Sequence, residues 1–190
     1  TSAEGRRAAA DLVRCYLATG ESLRAVLLGD IMRARISKSA EFRECLPALL
    51  SASAEAGLED VALAMVDAAV GGASQAERHS LLMDKARFLI RVGRREDATG
   101  VLRKLEESAR MPAQRYRAVV LRAKMLLERE QEDPGVGLCR MVATAEDCPQ
   151  EVRAEALRAL GAHYEKTGRY EEAALAYSGK CPIPAEGTNQ

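Results

Sequence analysis

The chain has 190 residues, 47% of them hydrophobic and 29% charged, with no Trp, 4% aromatic residues and a formal net charge of zero. This is too apolar for a disordered chain, and the neutral balance removes any whole-surface electrostatic case for nucleic acid or an anionic membrane. No apolar run approaches the ~18 residues a membrane span needs, so membrane insertion is not expected.

No signal peptide is visible, and the Thr-Ser-Ala start fits an excised domain or a processed product. The five cysteines, Cys15, Cys45, Cys139, Cys148 and Cys181, form no C-x-x-C pair and no Cys/His cluster. Their odd number and wide spacing speak against a disulfide framework or a zinc site. They read as small apolar packing residues in a reducing, cytoplasmic setting. With aromatics scarce, the core must come from Ala, Leu, Val and Met, which suits close-packed helices.

In chain order, the first predicted hairpin runs from about Arg6 to Ser37. Leu12, Val13 and Tyr16 turn inward on its first helix, and Leu23, Val26, Leu27 and Met32 on its second. The next helix is capped within Ser37–Ser39 and carries Phe42, Leu46, Leu49 and Leu50 to Gly57. Pro47 lies inside it, so either the helix starts near Cys45 or it kinks there. Its partner is Leu58–Val70, closed by Gly71-Gly72. Ser74 caps a third pair, in which Leu81, Leu82, Ala86, Leu89 and Ile90 precede a turn at Gly93, and Ala98, Leu102 and Leu105 face back. Arg115–Thr144 is less regular, with its turn at Glu132-Asp133-Pro134-Gly135. In the last pair Leu157, Leu160, Gly161 and Tyr164 share a face, Gly168 breaks the helix, and Tyr170, Ala173 and Tyr177 begin a second face. Pro112, Pro134 and Pro149 each fall at a predicted helix start, where proline is comfortable. The tail, Gly179–Gln190, holds Pro182-Ile183-Pro184 and is expected to be extended or disordered.

A glycine precedes a small residue by five at Gly20–Ala25, Gly57–Ala62, Gly93–Ala98 and Gly168–Ala173. The glycines lie 37, 36 and 75 residues apart, the last interval being close to two periods with the irregular pair inside it. Five hairpins of one period therefore account for almost the whole chain, at residues 6–38, 39–73, 74–111, 112–148 and 149–181, followed by a flexible tail at 182–190. Self-similarity of this length is the mark of a solenoid.

Residues 154–182 resemble a tetratricopeptide repeat (TPR): a Leu-Gly pair, an aromatic residue three later, a Gly-x-Tyr turn, then Ala and an aromatic four apart. The resemblance implies an all-α, right-handed superhelical solenoid of about five TPR-like repeats. It also implies a concave groove lined by the first helix of each repeat. At the family's groove offsets stand Arg7, Arg14 and Leu17 in the first repeat and Arg87, Ile90 and Arg91 in the third. Arg117, Lys124 and Glu128 stand there in the fourth, and Arg158, Ala162, Glu165 and Lys166 in the fifth. Basic residues outnumber acidic ones at these positions, which favours a carboxylate-bearing partner. Some TPR domains hold chaperone tails with a Lys/Asn set at these offsets. Here Asp84, Ala159 and Ala162 occupy the matching places, so chaperone tails are not the expected partner.

Neither His79 nor His163 has a nucleophile or carboxylate in a catalytic arrangement, and Ser178-Gly179-Lys180 lacks the glycines of a phosphate loop. No enzyme activity, metal or cofactor is expected. The leading expectation is a protein-interaction scaffold that captures a helix or extended segment of another protein, with Leu17 and Ile90 as apolar contacts. A second is self-association through the C-terminal helix, where Tyr170, Leu175 and Tyr177 form a candidate edge interface. RNA binding ranks lower, because no polar residue recurs at one groove position.

Overall fold

The computed structural model describes residues 2–128 and 132–182, with the side chains of Glu132 and Asp133 excepted. The described residues form ten helices and no strands: α1 (Ala3–Ala18), α2 (Ser22–Ile36), α3 (Ala40–Glu55), α4 (Glu59–Gly72), α5 (Gln75–Arg91), α6 (Arg95–Ser108), α7 (Pro112–Leu127), α8 (Glu132–Thr144), α9 (Gln150–Lys166) and α10 (Tyr170–Tyr177). They divide into two compact units, Thr1–Val101 and Leu102–Gln190, with the boundary inside α6.

Local chemistry sets where the helices start. Ser2, Ser39 and Ser74 accept the N–H of Gly5, Phe42 and Glu77 respectively, filling orphan donors of the first turn. At Ser74 the cap is reciprocal, since its own N–H donates to Glu77 Oε2 at 2.9 Å. Pro112 opens α7, and Pro149 stands just ahead of α9 as its cap residue.

The turns follow from one backbone requirement. At Gly57 φ is +67°, and the following N–H, of Leu58, reaches back to the Ser53 carbonyl at 2.9 Å. This closes a helix with a left-handed residue, a conformation that strains any side chain. Glycines 20, 93 and 168 share that sign of φ, and the N–H after each makes the same reach. Five residues on, Ala25, Ala62, Ala98 and Ala173 are all buried, so the small residue lies at the packed start of the second helix.

In the first unit, Val13, Val26, Phe42, Leu46, Leu49, Met65 and Val66 build one core. α3 packs on both α1 and α2, and α4 and α5 follow it. A Cβ on Gly29 of α2 would come within 2.8 Å of Leu49 of α3, so the absent side chain is what lets these helices meet. In the second unit, Tyr116, Val120, Cys139, Val142, Val152, Leu160 and Tyr164 build another core, with α9 packed on α7, α8 and α10.

Several expectations are corrected. Leu12, Leu23 and Leu27 do not turn inward: they are 43%, 56% and 56% exposed, because nothing in their unit covers the outer side of α1 and α2. α3 begins at Ala40 and runs through Pro47, so the later start near Cys45 is excluded. Pro47 leaves the Arg43 carbonyl without its helical N–H. Glu132-Asp133-Pro134-Gly135 is not a turn but the first turn of α8, with Pro134 seated where no N–H is required. Most of the tail, residues 183–190, lies outside the described residues; Pro182 is described and is buried.

Candidate functional site

The expected groove residues lie on or just after the first helices α1, α5, α7 and α9, and most of their charges are already engaged. Arg14 donates to Asp11 at 2.8 Å and to Glu44 of α3 at 3.2 Å. Arg87 donates to Asp84 at 3.1 Å, and Arg91 to the Ser51 hydroxyl at 3.0 Å. Arg117 lies 3.8 Å from Glu151, and Lys124 2.6 Å from Glu155, both acids on α9. Leu17 is half-buried and packs on the core, and Ile90 is half-buried as well. Apart from Arg7, the first unit's expected groove cations are engaged, Arg14 and Arg87 with acids and Arg91 with a hydroxyl, and Leu17 and Ile90 leave little free apolar surface.

Ion pairs between first helices have one sense among the described residues. Arg6 and Arg14 of α1 face Glu41 and Glu44 of α3, and Arg43 of α3 faces Glu77 of α5. Arg117 and Lys124 of α7 face Glu151 and Glu155 of α9 in the same way. The cation is always on the earlier helix. Pairs that reach back to a second helix, Lys85–Asp67 and Arg122–Glu106, run in the opposite sense.

Four expected groove cations, Arg7, Arg91, Arg158 and Lys166, have no ion-pair partner among the described residues, and of these Arg91 donates to the Ser51 hydroxyl. Arg158 and Lys166 converge on a cleft of about 510 Å³ in the second unit. Its walls are Lys124, Leu127 and Glu128 of and just after α7, and Glu155, Arg158, Ala159, Ala162, His163 and Lys166 of α9. The α9 residues follow one another at spacings of three, one, three, one and three, which is a single helix face. Leu127, Ala159 and Ala162 supply an apolar floor, while Arg158 and Lys166 are exposed and solvated. Such a cleft can take a small apolar side chain and hold a carboxylate beside it.

Three lining residues, Leu127, Glu155 and His163, were not among the expected groove positions, and Ala159 entered only as the place of an absent Asn. Glu155, Ala159 and His163 were legible as turn-mates of Arg158 and Ala162. Glu165, which was expected, is not in the cleft: it accepts the Tyr177 hydroxyl at 2.9 Å, and that bond holds the Tyr177 pKa above its usual value. Arg158 also borders a second recess, beside Leu157, Ala176 and Tyr177. On α10 the exposed residues include Tyr170 at 70%, Leu175 at 42% and Tyr177 at 52%.

Among the described residues no group of His, Cys, Asp and Glu is arranged to hold a metal, and no helix is long and apolar enough to cross a membrane. Burial pushes the thiol pKa up at Cys45, Cys148 and Cys181, and at Cys139 to about 12, which leaves these groups weak nucleophiles.

No family model matches the chain, and no curated protein matches it. Among solved structures it is similar to the crystal structure of nearly identical TPR-like repeats from a kinesin-light-chain-type protein of Podosopora anserina. The TM-score is 0.60 at 18% identity, covering 90% of this chain and 91% of that one. At that identity the likeness establishes the fold. The protein is an all-α chain of TPR-like helical repeats.

Proposed function

We propose that this chain is a non-catalytic protein-interaction module whose binding surface is the α7–α9 cleft. Its partner is a helix or extended segment of another protein carrying carboxylates beside a small apolar residue. The observation that carries this reading is the contrast between paired and unpaired cations. Arg14, Arg87, Arg117 and Lys124 each meet an acid, whereas Arg158 and Lys166 stand unpaired above the floor of Leu127, Ala159 and Ala162. A partner carboxylate at Arg158 would make a charge-assisted, bidentate contact, and the apolar floor would add the nonpolar part of the affinity.

The test is a fluorescence-anisotropy titration of a labelled amphipathic peptide with Glu on one face and Ala and Leu on the other. Arg158→Glu with Lys166→Glu should weaken binding by about tenfold or more, since a hydrogen bond to a charged group contributes ~1.5–3 kcal/mol. Binding should also weaken as salt is raised. Unchanged affinity in the double variant would refute the assignment of the cleft.

A further inference from the structure

The α7–α9 cleft runs along a helix rather than across one. Its α9 wall extends from Glu155 to Lys166, about 16 Å at ~1.5 Å per residue, with Lys124, Leu127 and Glu128 beside it. Both walls belong to helices that pack on each other within the second unit. On the floor, Ala159 and Ala162 stand one turn apart, and residues this small let another helix come close.

The chemistry of the lining selects the conformation of what it holds. The lining residues lie beyond the first turns of α7 and α9, so their backbone N–H groups are used inside those helices. Carbonyls at the far end of α9 are taken too, His163 by the N–H of Thr167, Tyr164 by that of Arg169 and Glu165 by that of Gly168. Among the described residues no Asn, Gln, Ser, Thr or Tyr lines the cleft. An extended segment would therefore bury N–H and C=O groups over Leu127, Ala159 and Ala162 with no neutral side chain to pair them, and an unpaired buried amide is costly. A helix arrives with its backbone bonds already made.

Charge sets the spacing. The lining carries Lys124, Arg158 and Lys166 against Glu128 and Glu155, and Lys124 holds Glu155 at 2.6 Å. Arg158 and Lys166 remain for a partner, about 12 Å apart along α9. On a helix, acids at i and i+7 share a face and span about 10.5 Å, close to that separation. A continuous acidic run would set further carboxylates against Glu128 and Glu155, so two spaced acids fit better than a stretch of them.

We propose that the cleft takes an α-helix of a partner protein laid along α9, with one acid at Arg158, a second seven positions away at Lys166, and Ala and Leu between them over the floor. This rests on the cleft reading and adds the conformation and spacing of the partner segment.

Three labelled peptides of equal charge, titrated against the full chain by fluorescence anisotropy, test it. The first is held helical by a hydrocarbon staple on its far face and carries Glu at i and i+7, with Ala at i+3 and Leu at i+4. The second is a stapled helix with Glu at i and i+4. The third is held extended by prolines, with Glu four positions apart, which spans about 13 Å in an extended chain. The first should bind about tenfold or more tighter than the others, since the second loses one charge-assisted contact and the third buries unpaired amides. Arg158→Glu with Lys166→Glu changes two exposed residues, circular dichroism checks that the variant folds, and its binding should lose that preference. An unstapled copy of the first peptide should gain helical ellipticity on mixing with wild type. If the second or third peptide binds as tightly as the first and the reversal weakens it, the cleft reading stands and this proposal is overturned. An unstapled copy that binds without gaining helicity overturns it as well. Binding that the reversal leaves unchanged, or no binding by any of the three, overturns both.

Discussion

The ring of Tyr177 on α10 lies where a side chain at Gly161 on α9 would stand: a Cβ at Gly161 would come within 2.6 Å of the ring. In the first hairpin the matching place holds Val13, which is fully buried. The last hairpin thus fills the same volume from the opposite helix, and the glycine is needed for space rather than for backbone freedom. Gly161→Leu should destabilise the second unit by about 1–3 kcal/mol, because both side chains cannot occupy that volume. Urea unfolding followed by circular dichroism measures this, and an unchanged midpoint would mean the α9–α10 contact is drawn wrongly.

Gly57 is the converse case. A Cβ there would meet nothing within 4 Å, yet φ is +67°. Gly57→Ala should therefore cost about 1–2 kcal/mol from backbone strain alone. Gly100, in α6, also has open space around its Cβ but no positive φ. Gly100→Ala should stabilise by about 0.5–1 kcal/mol, so the two alanine variants should shift the thermal midpoint in opposite directions.

The reciprocal cap at the start of α5 makes a pH-dependent contribution. The Ser74 hydroxyl, then the Ser74 N–H and Arg43, hold the Glu77 carboxyl below its ordinary pKa. A depressed carboxyl stabilises the fold above its unfolded pKa, and that contribution is lost as pH falls through the folded value. Ser74→Ala should cost about 1 kcal/mol at neutral pH. The gap between wild type and variant should narrow below roughly pH 4, the ordinary Glu range. A gap that widens on acidification would contradict the assignment.

The thiols should separate by burial. Cys15 is exposed, whereas Cys139 is fully buried with its pKa pushed up to about 12. In the native protein at neutral pH a maleimide should label Cys15 first and leave Cys139 unmodified, as peptide mass spectrometry would show.

The repeat fold was legible because its two requirements leave direct marks in the sequence. A left-handed helix end calls for glycine, and the packed start of the next helix calls for a small residue, as at Gly57–Ala62. The electrostatics of the groove were not legible in the same way. Arg14 pairs with Asp11 on its own helix, but that pattern does not show the cross-helix contacts of Arg14 and Lys124. Their partners, Glu44 and Glu155, come from the next first helix at positions no single-helix pattern selects. Periodicity also could not separate an inward face from an uncovered one. Leu12 and Leu49 occupy the same place in register, and only the presence of a preceding hairpin decides that one is buried and the other is not. The turn before α8 was misplaced because Pro134 and Gly135 suit a turn as well as they suit the first turn of a helix.

The central claim, that the α7–α9 cleft is where this module meets its partner, is tested most directly by affinity capture followed by mass spectrometry. Three baits are compared: wild type, Arg158→Glu with Lys166→Glu, and Arg87→Glu with Arg91→Glu as a reversal on the first unit, where Arg87 meets Asp84 and Arg91 the Ser51 hydroxyl. The account predicts a protein retained by wild type and by the Arg87/Arg91 reversal but lost from the Arg158/Lys166 reversal. Identical captures from all three, or a loss confined to the Arg87/Arg91 reversal, would contradict it.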